Sequence, residues 1–289
     1  MDGKIKMCNR GFHACESPFD VFDYYTMIDS RFCEVEQDGN ISKEDRGTKI
    51  CSSKIKIKAE LKLAGMINLG VEWLKEITSP EKIKTSIKDN SSGNYAKIGS
   101  SDDEAQIGSS GYGAQIGSSG YGAKIGSSGY GAKIGSSGYG VKIGSSGNNA
   151  QIGSSGNNAQ IGSSGYEAKI GSSGNDAQIG SSGNNAQIGS SGDGAQIGSS
   201  SDGAKISSSG YGAKIDSTGE DCVIMCAGIN SVAKASKGSW VTLSEWSYSE
   251  EKQRYIPICV KTEFVDGEKI KADTYYSLKG GVFVEWIND

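Results

Sequence analysis

Apolar and polar residues alternate in a fixed pattern through the middle of the chain. A nine-residue unit of the form Gly-Ser-Ser-Gly-x-x-Ala-Lys/Gln-Ile recurs fourteen times between Asn94 and Ile215, with Val once in the Ala position. In each unit Ala and Ile lie two positions apart with a polar residue between them, which is the period of a β-strand and places both on one face. The pattern therefore predicts a strand of three to four residues in every unit.

The residues between successive strands predict tight turns. Gly-Ser-Ser-Gly supplies glycines that can take positive φ and hydroxyls that bond to nearby backbone. Short strands and turns at a fixed period are typical of a parallel β-solenoid, or β-roll, whose inward Ala and Ile stack into a core. The predicted inward rank includes Ile107, Ile116, Ile125, Ile134, Ile143, Ile152, Ile161, Ile170, Ile179, Ile188 and Ile197. We expect Ile143→Asp to unfold the array and Lys142→Gln to be silent.

The order of lysines and glutamines favours two repeats per coil over three. With three, two pairs of lysines would be adjacent, Lys97/Lys124 and Lys142/Lys169; with two, the single adjacent pair is Lys124/Lys142. Like charges one strand apart are destabilising, which favours eighteen residues per coil. On one outer face this arrangement stacks a strictly alternating row: Lys97, Gln115, Lys133, Gln151, Lys169, Gln187 and Lys205.

Composition divides the chain into three parts, and the whole is predicted to be mainly β. Residues 91–219 form the solenoid, residues 1–90 a small α+β N-terminal cap domain, and residues 220–289 a β-rich C-terminal domain. Caps are expected because stacked coils leave an apolar surface at each end of the rod.

The N-terminal segment contains signals for short strands and two helices. Ser17 and Pro18 are typical of a helix start, and residues 31–36 and 54–63 have the composition and alternation of strands, with a turn at 37–40 between them. Helical spacing over 64–77 predicts a second helix, which we expect to cover the open end of the first coil.

The C-terminal segment reads as a closing coil followed by hairpins. Residues 222–227 carry larger apolar side chains than the repeat, and residues 240–246 and 255–265 predict strands. Asp-Gly at 266–267 and Gly-Gly at 280–281 predict two hairpin turns.

Charge and cysteine usage limit the classes of partner. The 289 residues include 30 Lys and Arg and 34 Asp and Glu, without a basic stripe or ordered rows of acids, so direct nucleic-acid binding by the rod is not expected. Seven cysteines without an apolar signal segment favour reduced thiols in the cytoplasm of the host cell. No apolar run approaches the roughly 18 residues of a membrane span, so no membrane partner is expected.

Metal and catalytic chemistry find little support in the sequence. Cys8, His13, Cys15 and Cys33 could be imagined as zinc ligands, but their spacing matches no common zinc pattern. Acidic residues occur in scattered repeats rather than in each, unlike the Asp ladder of calcium-binding β-rolls, and the outward ranks lack the threonines of an ice-binding face. One histidine and no phosphate loop indicate that the chain is not an enzyme and holds no cofactor.

Tyrosines recur four positions before several of the isoleucines. Two repeats per coil would stack Tyr112 on Tyr130 and Tyr121 on Tyr139. These ladders either stiffen the rod or form a contact surface, since exposed tyrosines are frequent interface residues. The candidate binding residues are Tyr112, Tyr121, Tyr130, Tyr139, Lys124, Lys133 and Lys142.

Several motifs outside the repeat carry a resemblance to a known group of proteins. They are Gly-Phe-His-Ala-Cys-Glu at 11–16, Cys-Ser-Ser-Lys-Ile-Lys-Ile at 51–57 and Val-Asp-Gly-Glu-Lys-Ile at 265–270. Together with the nonapeptides, the chain resembles a family of uncharacterised bacteriophage and prophage proteins. The resemblance implies a phage origin and a variable repeat number, and it implies no catalytic residue.

These features predict a non-enzymatic, phage-encoded interaction protein that inhibits a host defence or nucleic-acid-processing complex, comparable to an anti-CRISPR protein. A structural virion component or spacer is the alternative. A further alternative is a degenerate ADP-ribosyltransferase-like N-terminal domain, because residues 11–25 are similar to a strand-helix segment of that fold. The identity of the host complex and the oligomeric state are left open.

Overall fold

The structure, a computed structural model, describes residue 5 and residues 9–27, 29–44, 48–78 and 93–287. Over these residues it is mainly β, with a central parallel β-solenoid of about eight turns, one α-helix and a small α+β region at the N-terminus. The fold class predicted from the sequence is confirmed. The predicted boundary at residues 90/91 lies outside the described residues.

The N-terminal region is a three-stranded antiparallel sheet followed by a helix. Strands β1 (Phe12–Cys15), β2 (Phe32–Lys43) and β3 (Lys49–Leu61) pair in the order β1-β3-β2, and α1 spans Leu63–Ile77. The helix predicted near Ser17 is a short 3-10 helix, Phe19–Asp23.

The turn predicted at residues 37–40 is wrong. Strand β2 continues through this segment, and an irregularity in its pairing with β3 between Asp38 and Ile41 absorbs Gly39, which has φ +81°. An Asp-Gly pair in a long strand can mark a bulge as well as a turn.

Two parallel sheets of short strands form the solenoid, and consecutive strands alternate between them. We call the first the open sheet, which contains Lys97–Ser100 (β4), Gln115–Ser118 (β6), Lys133–Ser136 (β8), Gln151–Ser154 (β10), Lys169–Ser172 (β12), Gln187–Ser190 (β14), Lys205–Ser208 (β16) and Val223–Cys226 (β18). We call the second the covered sheet, which contains Gln106–Ser109 (β5), Lys124–Ser127 (β7), Lys142–Ser145 (β9), Gln160–Ser163 (β11), Gln178–Ser181 (β13), Gln196–Ser199 (β15), Lys214–Ser217 (β17) and Val232–Ala235 (β19).

Each strand pairs with the strand two positions along the chain, so the coil contains two repeats. Ile152 lies opposite both Ile134 and Ile170, which are 18 residues away on either side. The predicted two-repeat coil is therefore confirmed. Successive coils are joined by backbone hydrogen bonds such as Gln115 N–H to Ala96 C=O, 2.8 Å. The isoleucines of the array are 0–4% exposed and form one core with the inward alanines.

The turns use glycine differently from the expectation. The residue with positive φ is the one before each Ala, for example Gly131 (65°), Asn149 (57°) and Glu167 (55°), rather than either glycine of Gly-Ser-Ser-Gly. The second glycine of that motif is needed for space, because a Cβ at Gly129 would collide with the carbonyl oxygen of Gly111 in the preceding coil.

The solenoid continues beyond the predicted boundary at Gly219. Strands β18 and β19 stack on β16 and β17. The first four residues of β20 (Trp240–Ser249) add to β18 in parallel, and the whole of β20 pairs with β21 (Arg254–Phe264) antiparallel. The hairpin predicted at 266–267 is wrong, because that segment crosses from the open to the covered sheet. The Gly-Gly hairpin is confirmed between β22 (Tyr276–Lys279) and β23 (Val282–Glu285).

The two flanks cover the rod in different places. Val265, Ile270, Tyr276 and Leu278 join the solenoid core and close its C-terminal end. Helix α1 does not cover the end of the first coil as expected, because it lies along the outer face of the covered sheet. Within the described residues, no helix has the length and apolar character needed to cross a bilayer.

Candidate docking face

Both sheets present the same two outward rows, one of Lys or Gln and one of Gly. In each strand of the form Lys/Gln-Ile-Gly-Ser, Ile and Ser point inward, so the first and third residues face outward. A row of glycines forms a flat floor that another backbone or side chain can approach closely. The two floors have identical sequences, but the structure treats them differently.

The floor of the covered sheet is filled by α1. A methyl group at the Cβ position of Gly144 would lie 2.9 Å from Leu74 Cδ1, and one at Gly180 would lie 2.7 Å from Ile67 Cδ1. Val71 and Leu74 are fully buried there. The absence of a Cβ is therefore what lets the helix seat on the sheet.

The helix follows the stacking direction of the coils. Leu74 contacts Gly144, Val71 contacts Gly162 and Ile67 contacts Gly180, so each step of one coil corresponds to three or four residues of helix. The helical pitch of about 5.4 Å is close to the strand spacing of about 4.8 Å. One turn of helix therefore matches one coil.

An aromatic ring completes the seat of the helix. A Cβ on Gly162 of the covered floor would lie 2.6 Å from Phe19, and so would one on Gly70 of α1. Phe19 is 1% exposed and packs on Phe22, with ring centroids 6.0 Å apart. The 3-10 helix therefore places Phe19 between Gly70 of α1 and Gly162 of the covered floor, where its ring packs against both.

The polar row of the covered sheet is bound by the N-terminal region. Lys142 Nζ lies 2.6 Å from Asp20 Oδ1 and 3.4 Å from Asp23 Oδ2, and its side chain is 12% exposed. Asp23 also accepts a hydrogen bond from Gln160, 2.6 Å. Burial raises the pKa of Asp20, but the charge and hydrogen bond of Lys142 outweigh burial and leave this pKa below its ordinary value.

Lys142 is therefore not a free binding residue, and the expectation that Lys142→Gln is silent does not fit its contacts. Lys124, its neighbour in the same row, lies 6.0 Å from the centroid of the Trp73 ring. The only adjacent lysine pair of the array is thus the place where the N-terminal region supplies two carboxylates and an aromatic face.

A second lysine of this row joins the two flanks. Lys214 Nζ lies 2.6 Å from Asp29 Oδ2 and 4.4 Å from the ring centroids of both Tyr275 and Trp286. In the same strand, Asp216 takes the place of the floor glycine and forms an ion pair with Lys234, 2.9 Å. Burial nevertheless raises the pKa of Asp216. Both flanks are thereby fixed to the covered sheet.

The floor of the open sheet has no such cover among the described residues. In the part of the chain that the structure describes, a Cβ at Gly99, Gly117, Gly135, Gly153 or Gly171 would meet nothing within 4 Å, and one at Gly189 would approach only Ser207 Oγ, at 3.6 Å. We call these six glycines the open floor. A shallow groove runs along it from Lys97 to Met225.

The alternating row predicted from the sequence borders the open floor. Its four lysines, Lys97, Lys133, Lys169 and Lys205, are exposed, and within the described part of the chain none forms an ion pair. Of the three lysines expected to bind a partner, Lys133 alone lies on this face. The lysines therefore leave positive charge unmatched along one border of the groove.

The C-terminal end of the groove is apolar. Val223 continues the lysine row and Met225 continues the glycine row, and they are 47% and 49% exposed. Trp240 follows on β20, 49% exposed, with its ring 5.0 Å from that of Phe264. Half-exposed apolar side chains grouped at the end of a groove are typical of interaction sites.

The four candidate tyrosines lie along the two edges of the rod rather than on either floor. Tyr112 stacks on Tyr130 at 5.4 Å and Tyr121 on Tyr139 at 5.6 Å, with rings nearly parallel, so the predicted ladders are confirmed. Asn149 donates a hydrogen bond to Tyr130 Oη, 2.9 Å. These contacts agree with a stiffening role, and a role in binding stays a prediction.

The N-terminal region has a second concavity, which includes His13, Cys15, Tyr24 and Arg31. Burial and the nearby Asp20 raise the pKa of Cys15 to about 11, so its thiol is protonated at neutral pH and a poor nucleophile. No cluster of three His, Cys, Asp or Glu suited to a metal is found among the described residues. Cys8, one of the imagined zinc ligands, lies outside them.

Sequence reasoning missed the strand glycines, which carry the difference between the two faces. Every repeat contains the same glycine, so nothing in a single unit separates the covered from the open floor. The adjacent pair Lys124/Lys142 was the one available signal, because two like charges one strand apart require opposite charge from elsewhere in the chain.

Comparison with known proteins identifies only part of the chain. Residues 1–69 match a family described as a domain of unknown function, DUF7666. This match covers β1 to β3 and the first half of α1 and ends before the solenoid. No curated protein and no solved structure matches the chain.

Proposed function

We propose that this is a non-enzymatic interaction protein whose rod presents the open floor to a protein partner. One observation carries the proposal: identical glycine floors lie on both sheets, and the described residues cover one with α1 and leave the other exposed. A rigid repeat surface offers a large contact area with little loss of conformational entropy on binding.

The partner that we propose is a host defence or nucleic-acid-processing complex, bound by a phage-encoded inhibitor in the host cytoplasm. The resemblance of the motifs at 11–16 and 265–270 to phage and prophage proteins supports this origin. The groove supports binding rather than catalysis, since its border consists of lysines, glutamines and apolar side chains.

Quantitative affinity capture from a lysate of infected bacterial cells tests the proposal. The baits are the full-length tagged protein, a Gly135→Gln/Gly153→Gln variant that fills the open floor, and a Tyr121→Ala/Tyr139→Ala variant that removes one ladder. We expect a host complex to be recovered with the wild type and the tyrosine variant and to be lost with the glycine variant.

Two other outcomes would contradict this proposal. Loss of the complex with the tyrosine variant alone would place the binding surface on the ladder. Recovery of capsid or tail proteins in place of a host complex would indicate a structural role in the virion. Circular dichroism and thermal melting of each bait exclude misfolding as the cause of any loss.

A further inference from the structure

We infer that the occupant of the open floor is an amphipathic α-helix of the partner, with aliphatic side chains on the glycines and a carboxylate on every seventh residue. This inference rests on the proposed function and specifies the chemistry of the partner. The covered sheet supplies the template, because α1 already occupies the same floor on the other side of the rod.

The dimensions of the open floor suit a helix of about four turns. Its six glycines span five strand spacings, or about 24 Å at about 4.8 Å each. Helix α1 has 15 residues, or about 22 Å at 1.5 Å per residue, and together with Thr78, which follows its last residue, it contacts the floor from Gly108 to Gly180. A helix of similar length therefore fits the open floor from end to end.

The spacing of the lysines sets the spacing of the carboxylates. Lys133 and Lys169 lie on β8 and β12, two strand spacings or about 9.6 Å apart. Seven residues of a helix advance about 10.5 Å and return to nearly the same face. Acidic residues spaced seven apart on one flank of a helix therefore reach successive lysines. A separate set of aliphatic residues, with the spacing of Ile67, Val71 and Leu74, meets the glycines.

The contacts on the covered sheet show the same combination of chemistry. There, the aliphatic side chains of Ile67, Val71 and Leu74 meet glycines, while Asp20 and Asp23 bind Lys142 beside them. An occupant of the open sheet has to supply both parts itself. Its end at the C-terminal side of the groove meets Val223 and Met225, where an apolar side chain is favoured over a carboxylate.

A second copy of this chain fits the open floor less well. In a face-to-face dimer two flat glycine floors would bury few side-chain atoms against each other. Nucleic acid is less suited because the lysines are about 9.6 Å apart, and a single row contacts few phosphates. These two occupants are outcomes of the test.

The experiment measures binding of two stapled, fluorescein-labelled 18-residue helices to the full-length protein by fluorescence anisotropy. One peptide carries aliphatic residues with the spacing of Ile67, Val71 and Leu74 and glutamates at i, i+7 and i+14 on one flank. The second replaces the glutamates by lysines. We expect the glutamate peptide to bind the wild type at least tenfold more tightly than the lysine peptide.

Three protein variants test the geometry. Gly135→Gln/Gly153→Gln should lower the affinity for the glutamate peptide at least tenfold. Lys133→Glu/Lys169→Glu should make the protein bind the lysine peptide more tightly than the glutamate peptide. Lys237→Glu/Lys252→Glu changes the net charge equally at exposed sites away from the groove and should leave the affinity within twofold. If only Lys133→Glu/Lys169→Glu reverses the preference, the lysines of the groove contact the peptide directly. If both charge variants reverse it, the preference comes from the net charge of the protein.

Other results overturn the inference. One is that Gly135→Gln/Gly153→Gln leaves the affinity for the glutamate peptide unchanged. Another is that a DNA duplex binds the groove more tightly than the peptide does. A third is that the wild type sediments as a dimer and the glycine variant as a monomer. Absence of peptide binding together with glycine-sensitive capture from the lysate would reject the acidic helix and leave the proposed function standing. Loss of glycine sensitivity in the capture would reject both.

Discussion

The covered and open sheets differ in what contacts them and hardly at all in sequence. Gly144 in β9 and Gly153 in β10 both follow Ile and precede Ser. The first nevertheless lies under Leu74 and Val71, whereas a methyl group added to the second would meet no atom of the described residues within 4 Å. The comparison teaches that a periodic sequence can specify two equal surfaces, while a flanking domain makes them unequal by occupying one.

The largest expected effect tests what the two sheets share. Ile143→Asp on the covered sheet and Ile152→Asp on the open sheet each bury an uncompensated charge in the one core, at a cost of about 3–5 kcal/mol. Both variants should lose the cooperative melting transition of the rod, measured by circular dichroism. A variant that melts like the wild type would show that its isoleucine does not face the core.

The glycine pair tests what separates the two sheets. Gly144→Gln should displace Leu74 and Val71 and weaken the seating of α1 by about 1–3 kcal/mol, whereas Gly153→Gln should change stability little. Limited proteolysis of the N-terminal region measures this seating. Equal protection in the two variants would mean that the covered floor does not hold the helix.

Substitution of Lys142 and of Lys133 should give a smaller difference in stability than the glycine substitutions. Lys142→Gln leaves Asp20 and Asp23 without their cation, at a cost of about 1–3 kcal/mol, while Lys133→Gln removes an exposed charge and should be nearly silent. Chemical denaturation with intrinsic fluorescence compares the two variants. Identical midpoints would indicate that the pair with Asp20 contributes nothing.

The smallest expected effect is that the difference in stability between the wild type and Lys142→Gln depends on pH. In the wild type the lowered pKa of Asp20 gives stability that is present above the ordinary value of 3.8 and is lost as the pH falls through the lower folded value. Without Lys142, its charge and hydrogen bond no longer lower this pKa, so in Lys142→Gln the carboxyl protonates at a higher pH than in the wild type and the variant loses less stability as the pH falls. The difference in stability between the wild type and Lys142→Gln should therefore become smaller as the pH falls from 7 to 4.

Melting of both proteins at several pH values checks this, and a constant gap would contradict the assignment of the effect to Asp20. The variant Asp20→Asn provides the control. It removes the titrating group, so the difference made by Lys142→Gln in that background should not depend on pH over the same range.

The sequence by itself determined the solenoid and its core, and it favoured an eighteen-residue coil without deciding it. These follow from short-range rules, since alternation places Ala and Ile on one face and like-charge spacing favours two repeats per coil. The pairing of strands 18 residues apart decided between two repeats and three. The tyrosine ladders followed from the same register. The continuation of β2 through residues 37–40 and the cross-sheet segment at 266–267 were missed because an Asp-Gly pair is compatible with a hairpin turn, a bulge or a bend.

Only the tertiary structure decided which face is covered. Helix α1 precedes the first coil in sequence, so proximity along the chain favoured the end of the rod, but its aliphatic face is matched in pitch to the glycine floor and extends along the side. That match depends on contacts between residues separated by 70 to 113 positions, as between Leu74 and Gly144 or Ile67 and Gly180. A local pattern contains no information about such contacts, because every repeat offers the helix the same glycine.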